Sequence, residues 1–180
     1  WKRTEIALTL SAAAERIGDI GIGQGQLVNC LSAREQTKAV YGIDFRRHSK
    51  LLEPNDNTKF SFVEWDITQS LQADIPILDL IIAMEVFEHI EHDQLDAAIQ
   101  RVVNLARDRA MFFTVPYMEK EPLYHHDKPG GHKQSFDDAR IEEVFGPQVI
   151  WTHYREKWFL GYTAETIKTS GALPFDTFLA

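Results

Sequence analysis

The 180-residue sequence is short of cysteine, of basic charge and of long apolar runs. Cys30 stands alone, which excludes an intramolecular disulfide and any zinc site built on clustered thiols. It points to the reducing cytoplasm. A membrane helix needs about 18 apolar residues in succession, and here Asp79 and Glu85 interrupt the greasiest stretch. The N-terminus imitates a signal peptide only in part. Trp1-Lys2-Arg3 precedes the mildly apolar Ile6 to Ala14, but Glu5 intervenes, and cleavage near Ala14 would cut almost into the first strand. The chain starts with Trp instead of Met, so the expectation is that something upstream has been removed or belongs to a longer chain.

Lys and Arg number 19 against 27 Asp and Glu, a net charge of −8. That balance argues against a protein that grips phosphate backbones by counterion release. What is present is ordinary for a globular protein: 44% hydrophobic and 26% charged residues. The length suits about one domain, expected to span 1–180, with roughly 70% of the unfolded surface buried on folding.

Hydrophobic periodicity divides the chain into alternating elements. Thr4 to Glu15 reads as an Ala-rich helix, Arg16 to Ile20 as a strand, Leu27 to Thr37 as a helix and Lys38 to Ile43 as a strand ending at Asp44. Lys59 to Trp65 alternates as a strand should and ends at Asp66. Leu78 to Met84 is the nearly continuous apolar run of a strand covered on both faces. Leu95, Ala98, Ile99, Val102, Val103 and Ala106 recur at helical spacing. Ala110 to Val115 is another buried strand, closed by Pro116; a polar loop spans Tyr117 to Gln134, and Ser135 precedes a helix over Phe136 to Phe145. Two β-rich runs, Gln148 to Tyr154 and Lys157 to Thr163, form a hairpin. Alternation predicts an α/β fold, a parallel sheet with helices on both faces and an antiparallel edge from the hairpin. Ligands of such sheets sit beyond the C-terminal strand ends.

At the first of those ends stands Gly18-Asp19-Ile20-Gly21-Ile22-Gly23-Gln24-Gly25. Alternate glycines allow a sharp turn and expose main-chain N–H groups to a ligand, and the helix start behind them favours polar or anionic groups. The spacing is G-x-G-x-G, and Gln26 stands where a dinucleotide fingerprint has its third glycine. That mismatch, with no hydride-transfer residues in evidence, argues against a nicotinamide oxidoreductase. Asp44, ending the second strand, suits a ribose diol, with a turn or cap as the bland alternative. Asp66, ending the third, suits an adenine amino group while the Ile67 N–H contacts the ring, with a cap as the bland alternative.

The D-x-G-x-G-x-G loop, the GID ending at Asp44, the EWDIT around Asp66 and LIIAMEVFEHI together resemble the class I, Rossmann-like S-adenosylmethionine-dependent methyltransferases. The likeness spans roughly Ile17 to Thr163 and departs at Ile22, where the family often has a small residue or Cys. It implies a doubly wound seven-stranded sheet of order 3-2-1-4-5-7-6 in a core over 16–164, with S-adenosylmethionine as cofactor. It places Asp19, Gly21, Gly23 and Gly25 at the methionine part, Asp44 at the ribose, Asp66 at the adenine, and Met84 and Glu85 beside the cofactor; Phe45 and Ile67 are further cofactor-binding candidates.

Methyl transfer from a sulfonium is a displacement whose reagent is already activated, so positioning dominates and no nucleophilic triad is needed. A hydroxyl acceptor also needs a base, and His89 and His132 are the candidates. For His89 the bland reading is a packing role with a bond to a backbone carbonyl. Tyr117, His125, His126 and Trp158 are candidates for the acceptor pocket, although aromatic strand residues are more often core. The expected function is methylation of an O or N nucleophile of a small-molecule acceptor. Glu85, Glu88, His89 and His132 also match what the resemblance implies for metal-dependent methyltransferases of the RNA 3′-terminal ribose. That divalent-ion reading is an alternative to the metal-free expectation. A third reading is a non-catalytic cofactor-binding domain of a larger assembly.

Overall fold

The computed structural model describes residues 2–52, 54, 58–117, 131–146, 149–154, 158–163 and 166. Seven strands form one sheet: β1 (Arg16–Ile20), β2 (Ala39–Asp44), β3 (Phe60–Glu64), β4 (Leu80–Met84), β5 (Met111–Pro116), β6 (Val149–Tyr154) and β7 (Trp158–Thr163). Their order is β3-β2-β1-β4-β5-β7-β6. β1 to β5 run parallel, and β7 is antiparallel to both β5 and β6.

Alternation along the strands divides the core between two faces. Ile20, Ile43, Ile81, Phe113 and Phe159 face α3 (Leu95–Val103) and α4 (Asp138–Phe145). Ile17, Val40, Leu80, Ile82, Phe112 and Leu160 face α1 (Lys2–Leu10) and α2 (Gln26–Ser32). Leu80, Ile81, Ile82 and Ala83 are at most 1% exposed, so β4 is sealed on both sides, as its unbroken apolar run requires. Burying a side chain such as Leu or Ile contributes about 1.5–3 kcal/mol, so this central strand anchors the sheet.

Four helices differ from the periodicity; α3 ends at Val103, short of Ala106, which bridges to Leu78 instead. α1 ends at Leu10, short of Glu15, because Glu15 already belongs to the sheet: its carbonyl accepts from Lys38 N and Ala39 N at 2.7 and 3.0 Å, and its N–H donates to Asp79 Oδ2 at 3.1 Å. α2 stops at Ser32, and Arg34 beyond it donates to Leu8 O and Ser11 Oγ of the α1 segment. α4 begins at Asp138 because Asp137, extended at φ −119°, accepts from Arg140 N at 2.8 Å. Phe136 remains outside the helix, fully buried and bridged to Tyr117.

Candidate active site

The loop after β1 turns through left-handed backbone at Gly21 and Gly23, with φ +70° and +55°. The two glycines are needed for different reasons. A Cβ on Gly21 would come within 2.6 Å of Val86 Cγ2, so the turn after β4 packs directly on it. A Cβ on Gly23 would meet nothing nearer than Gly21 O at 3.9 Å. Its surroundings are open, and backbone conformation alone selects glycine there. The Gly23 N–H donates to Asp44 Oδ2 at 3.3 Å, which ties the loop to the end of β2.

Asp19 lies one strand over from Asp44 and is 4% exposed. Burial, with a smaller push from the Asp44 charge, raises its pKa from 3.8 to about 7. An anionic Asp19 is therefore unfavourable in this pocket, and a cation placed near it would favour the charged form.

A cleft of about 480 Å³ opens beyond the C-terminal ends of β1 to β4. Its walls include Gly21, Asp44, Phe45, Asp66, Ile67 and Glu85 of the sequence candidates, and His89. Asp19, Gly23, Gly25 and Met84 are not among its lining residues; Met84 packs on the α1–α2 side of the core. Phe45 is 59% exposed, with the Arg46 guanidinium 5.0 Å from its ring. Asp66 carries part of its bland reading as well: Oδ1 accepts from Thr68 N and Oγ1 at 2.9 and 2.8 Å, an Asx turn on the cleft wall.

The other half of the site is built on the turn after β4. Glu85 sits at φ +57°, a strained conformation for a residue with a Cβ. Its carboxylate is held by three elements: Thr114 Oγ1 of β5 at 2.8 Å, Trp158 Nε1 of β7 at 3.1 Å and Arg3 of α1 at 2.8 Å. His89 Nδ1 lies 3.3 Å from Gly131 O. A carbonyl only accepts, so this contact favours the tautomer protonated at Nδ1 and makes Nε2 the acceptor nitrogen. One ligand atom from each of Glu88, His89 and His132 falls within 4.8 Å of the others, and the two imidazoles meet edge to face at 4.9 Å.

Of the acceptor candidates, Trp158 joins the Glu85 network, while Tyr117 packs on His153 and Phe159. His125 and His126 fall outside the described residues. Sequence reasoning missed Val86, Ile90, Gln94 and Arg46 on the cleft wall, and Arg3 and Thr114 behind it. The Arg46-Arg47 pair directly after a strand end was a usable signal, whereas nothing local marks Arg3.

A family profile described as a methyltransferase domain matches residues 19–112. No curated protein matches the chain by sequence. Among solved structures, the methyltransferase domain of a bacterial Hen1 superposes with TM-score 0.65 at 17% identity, covering 90% of this chain and 97% of that one. The N-methyltransferase NodS from Bradyrhizobium japonicum WM9 gives 0.65 at 18%, covering 90% and 93%. The small RNA methyltransferase HEN1 gives 0.68 at 18%, covering 91% of this chain but only 25% of that longer one.

Proposed function

The chain belongs to the methyltransferase-domain family of Rossmann-like, class I S-adenosylmethionine-dependent enzymes, and on that premise we propose that it methylates an oxygen or nitrogen nucleophile of a small-molecule acceptor. The observation that carries the reading is the Gly23–Asp44 corner, where open backbone and a strand-end carboxylate meet beside a cleft of about 480 Å³. A space of that size lies in the range of small-molecule and cofactor sites. The acidic environment of Asp19 and Asp44 suits a cofactor that carries an ammonium and a sulfonium.

When bound, the cofactor supplies a methyl group already activated for displacement. Asp44 would hold the ribose hydroxyls and Ile67 the adenine. Asp19, whose ionised form a nearby positive charge would favour, would hold the amino-acid end through the loop. Phe45, Ile67, Val86 and Ile90 give the cleft its apolar lining. His89 Nε2, as the acceptor nitrogen of its ring, takes the proton from the attacking hydroxyl or amine. Isothermal titration with S-adenosylmethionine, followed by methyl-transfer assays on a panel of alcohols and amines, tests this account. No heat at millimolar cofactor contradicts it, and tight binding without product from any acceptor supports the non-catalytic domain instead.

The Glu88–His89–His132 cluster supports a second reading, a divalent-ion-dependent methyltransferase of RNA 3′-terminal ribose. A carboxylate and two imidazoles suit manganese, magnesium or zinc, and the Nδ1 contact of His89 is the orienting bond expected behind a metal-binding Nε2. Glu85, the fourth residue of that resemblance, has its carboxylate committed to Thr114, Trp158 and Arg3. Activity on RNA ends that disappears in chelator establishes this reading; an unchanged rate eliminates it.

A further inference from the structure

The contact between Arg3 and Glu85 has the form of a recognition site filled from within. The Arg3 guanidinium carbon lies 4.6 Å from the centre of the Trp158 ring, while its Nη1 lies 2.8 Å from Glu85 Oε1. A carboxylate beside an indole face is the combination that selects cations: charge attraction on one side and the ring quadrupole on the other. Tyr154 stacks on the far part of this wall, 6.2 Å from Trp158. Glu85 is also part of the cleft wall, so one residue is shared between this cage and the cleft.

Arg3 fits this cage imperfectly. Its Nη1 is out of water yet makes no aligned hydrogen bond, although the charges are in close contact. The two side chains remain 30% and 29% exposed, so solvent and solutes reach the pair. Arg3 stands in the first turn of α1, and helix ends open at little cost. By contrast, the other two partners of Glu85 come from the sheet: Thr114 on β5 and the indole N–H of Trp158 on β7. The cage is built on the sheet and its occupant on a helix end.

We propose that Arg3 is an internal placeholder in a cation subsite formed by Glu85 and Trp158, and that this subsite receives a positively charged ammonium or guanidinium group of the methyl acceptor. The inference rests on the small-molecule reading above and narrows its substrate class. A protonated nitrogen has no lone pair to attack with, so the bound cation is the handle and the nucleophile is another atom of the same acceptor. Binding exchanges one ion pair for another, with Arg3 released to solvent and Glu85 remaining neutralised.

The sharpest consequence concerns the sign of one mutation. If Arg3 only braces the fold, removing it leaves cation binding unchanged or weaker. If it is a competitor, removal strengthens it. The test is calorimetric titration of methylguanidinium chloride into the 180-residue chain saturated with S-adenosylhomocysteine, with N-methylurea as the neutral isostere. Arg3→Ala and Arg3→Gln are both expected to bind methylguanidinium at least fivefold more tightly than the wild type, and Arg3→Lys to resemble the wild type. Adding Glu85→Gln to Arg3→Gln removes the gain. Equal or weaker binding by both uncharged variants, or equal binding of N-methylurea, overturns the proposal. A wild type that takes up no S-adenosylhomocysteine refutes the cofactor reading instead, and the methylguanidinium titration without it still reports on the cage.

Discussion

The two halves of the cleft are built in opposite ways. Over β1, β2 and β3 the site consists of main chain and short carboxylates: the positive-φ glycines, Asp44 at one strand end and Asp66 just beyond another. Over β4, β5 and β7 it consists of long side chains that meet across great sequence distance, Arg3, Glu85, Thr114 and Trp158. The first half offers backbone groups whose positions follow from parallel register, a fixed geometry for a cofactor that does not change. The second half depends on side-chain charge and a strained turn at Glu85, the kind of construction that one scaffold alters to accept different substrates.

The largest effect is expected at Gly23. Gly23→Val places a β-branched residue at φ +55° and fills the open space beside the loop, so cofactor binding is abolished. Because the new Cβ clashes with nothing in the fold, circular dichroism is expected to show a folded protein. Retained affinity in calorimetry means that the pocket lies elsewhere.

Asp44→Ala comes next. It removes the carboxylate proposed to hold the ribose diol and is expected to weaken cofactor binding by about 1.5–3 kcal/mol, tenfold or more. A smaller change in Kd denies Asp44 its ribose role.

Asp19→Asn sharpens the electrostatic side of the comparison. The folded pKa of Asp19 is raised to about 7, so its contribution to the stability of the cofactor-free protein is fully present below about pH 4 and lost as pH rises through about 7. Melting temperature followed across that window is expected to fall more steeply for the wild type than for Asp19→Asn. Parallel curves mean that Asp19 is ionised without cost.

The smallest effect belongs to the far half. Thr114→Val deletes one of two hydrogen-bond donors to Glu85 and is expected to cost about 1 kcal/mol of stability, with cofactor affinity nearly intact. A large loss of affinity dissolves the division between the halves.

The same division explains what was legible in the sequence. The D-x-G-x-G-x-G loop and the acids at the strand ends are local signals, because a positive φ or a strand terminus leaves its mark within a few residues. The seven strands followed from alternation and apolar runs, and the observed order matches the expected 3-2-1-4-5-7-6. Helix ends were less legible because tertiary bonds decide them: Glu15 is claimed by the sheet, and Asp137 caps α4 two residues beyond Ser135. Glu85 was visible as a candidate but its engagement was not. Its partners lie at positions 3, 114 and 158, and only the folded sheet brings them together.

A crystal structure of the complex with S-adenosylhomocysteine tests the central claim most directly. The account predicts the ribose diol within hydrogen-bonding distance of both Asp44 carboxylate oxygens and the adenine against Ile67. A nucleoside bound away from the ends of β1, β2 and β3, with that cleft filled by the protein's own side chains, would contradict it.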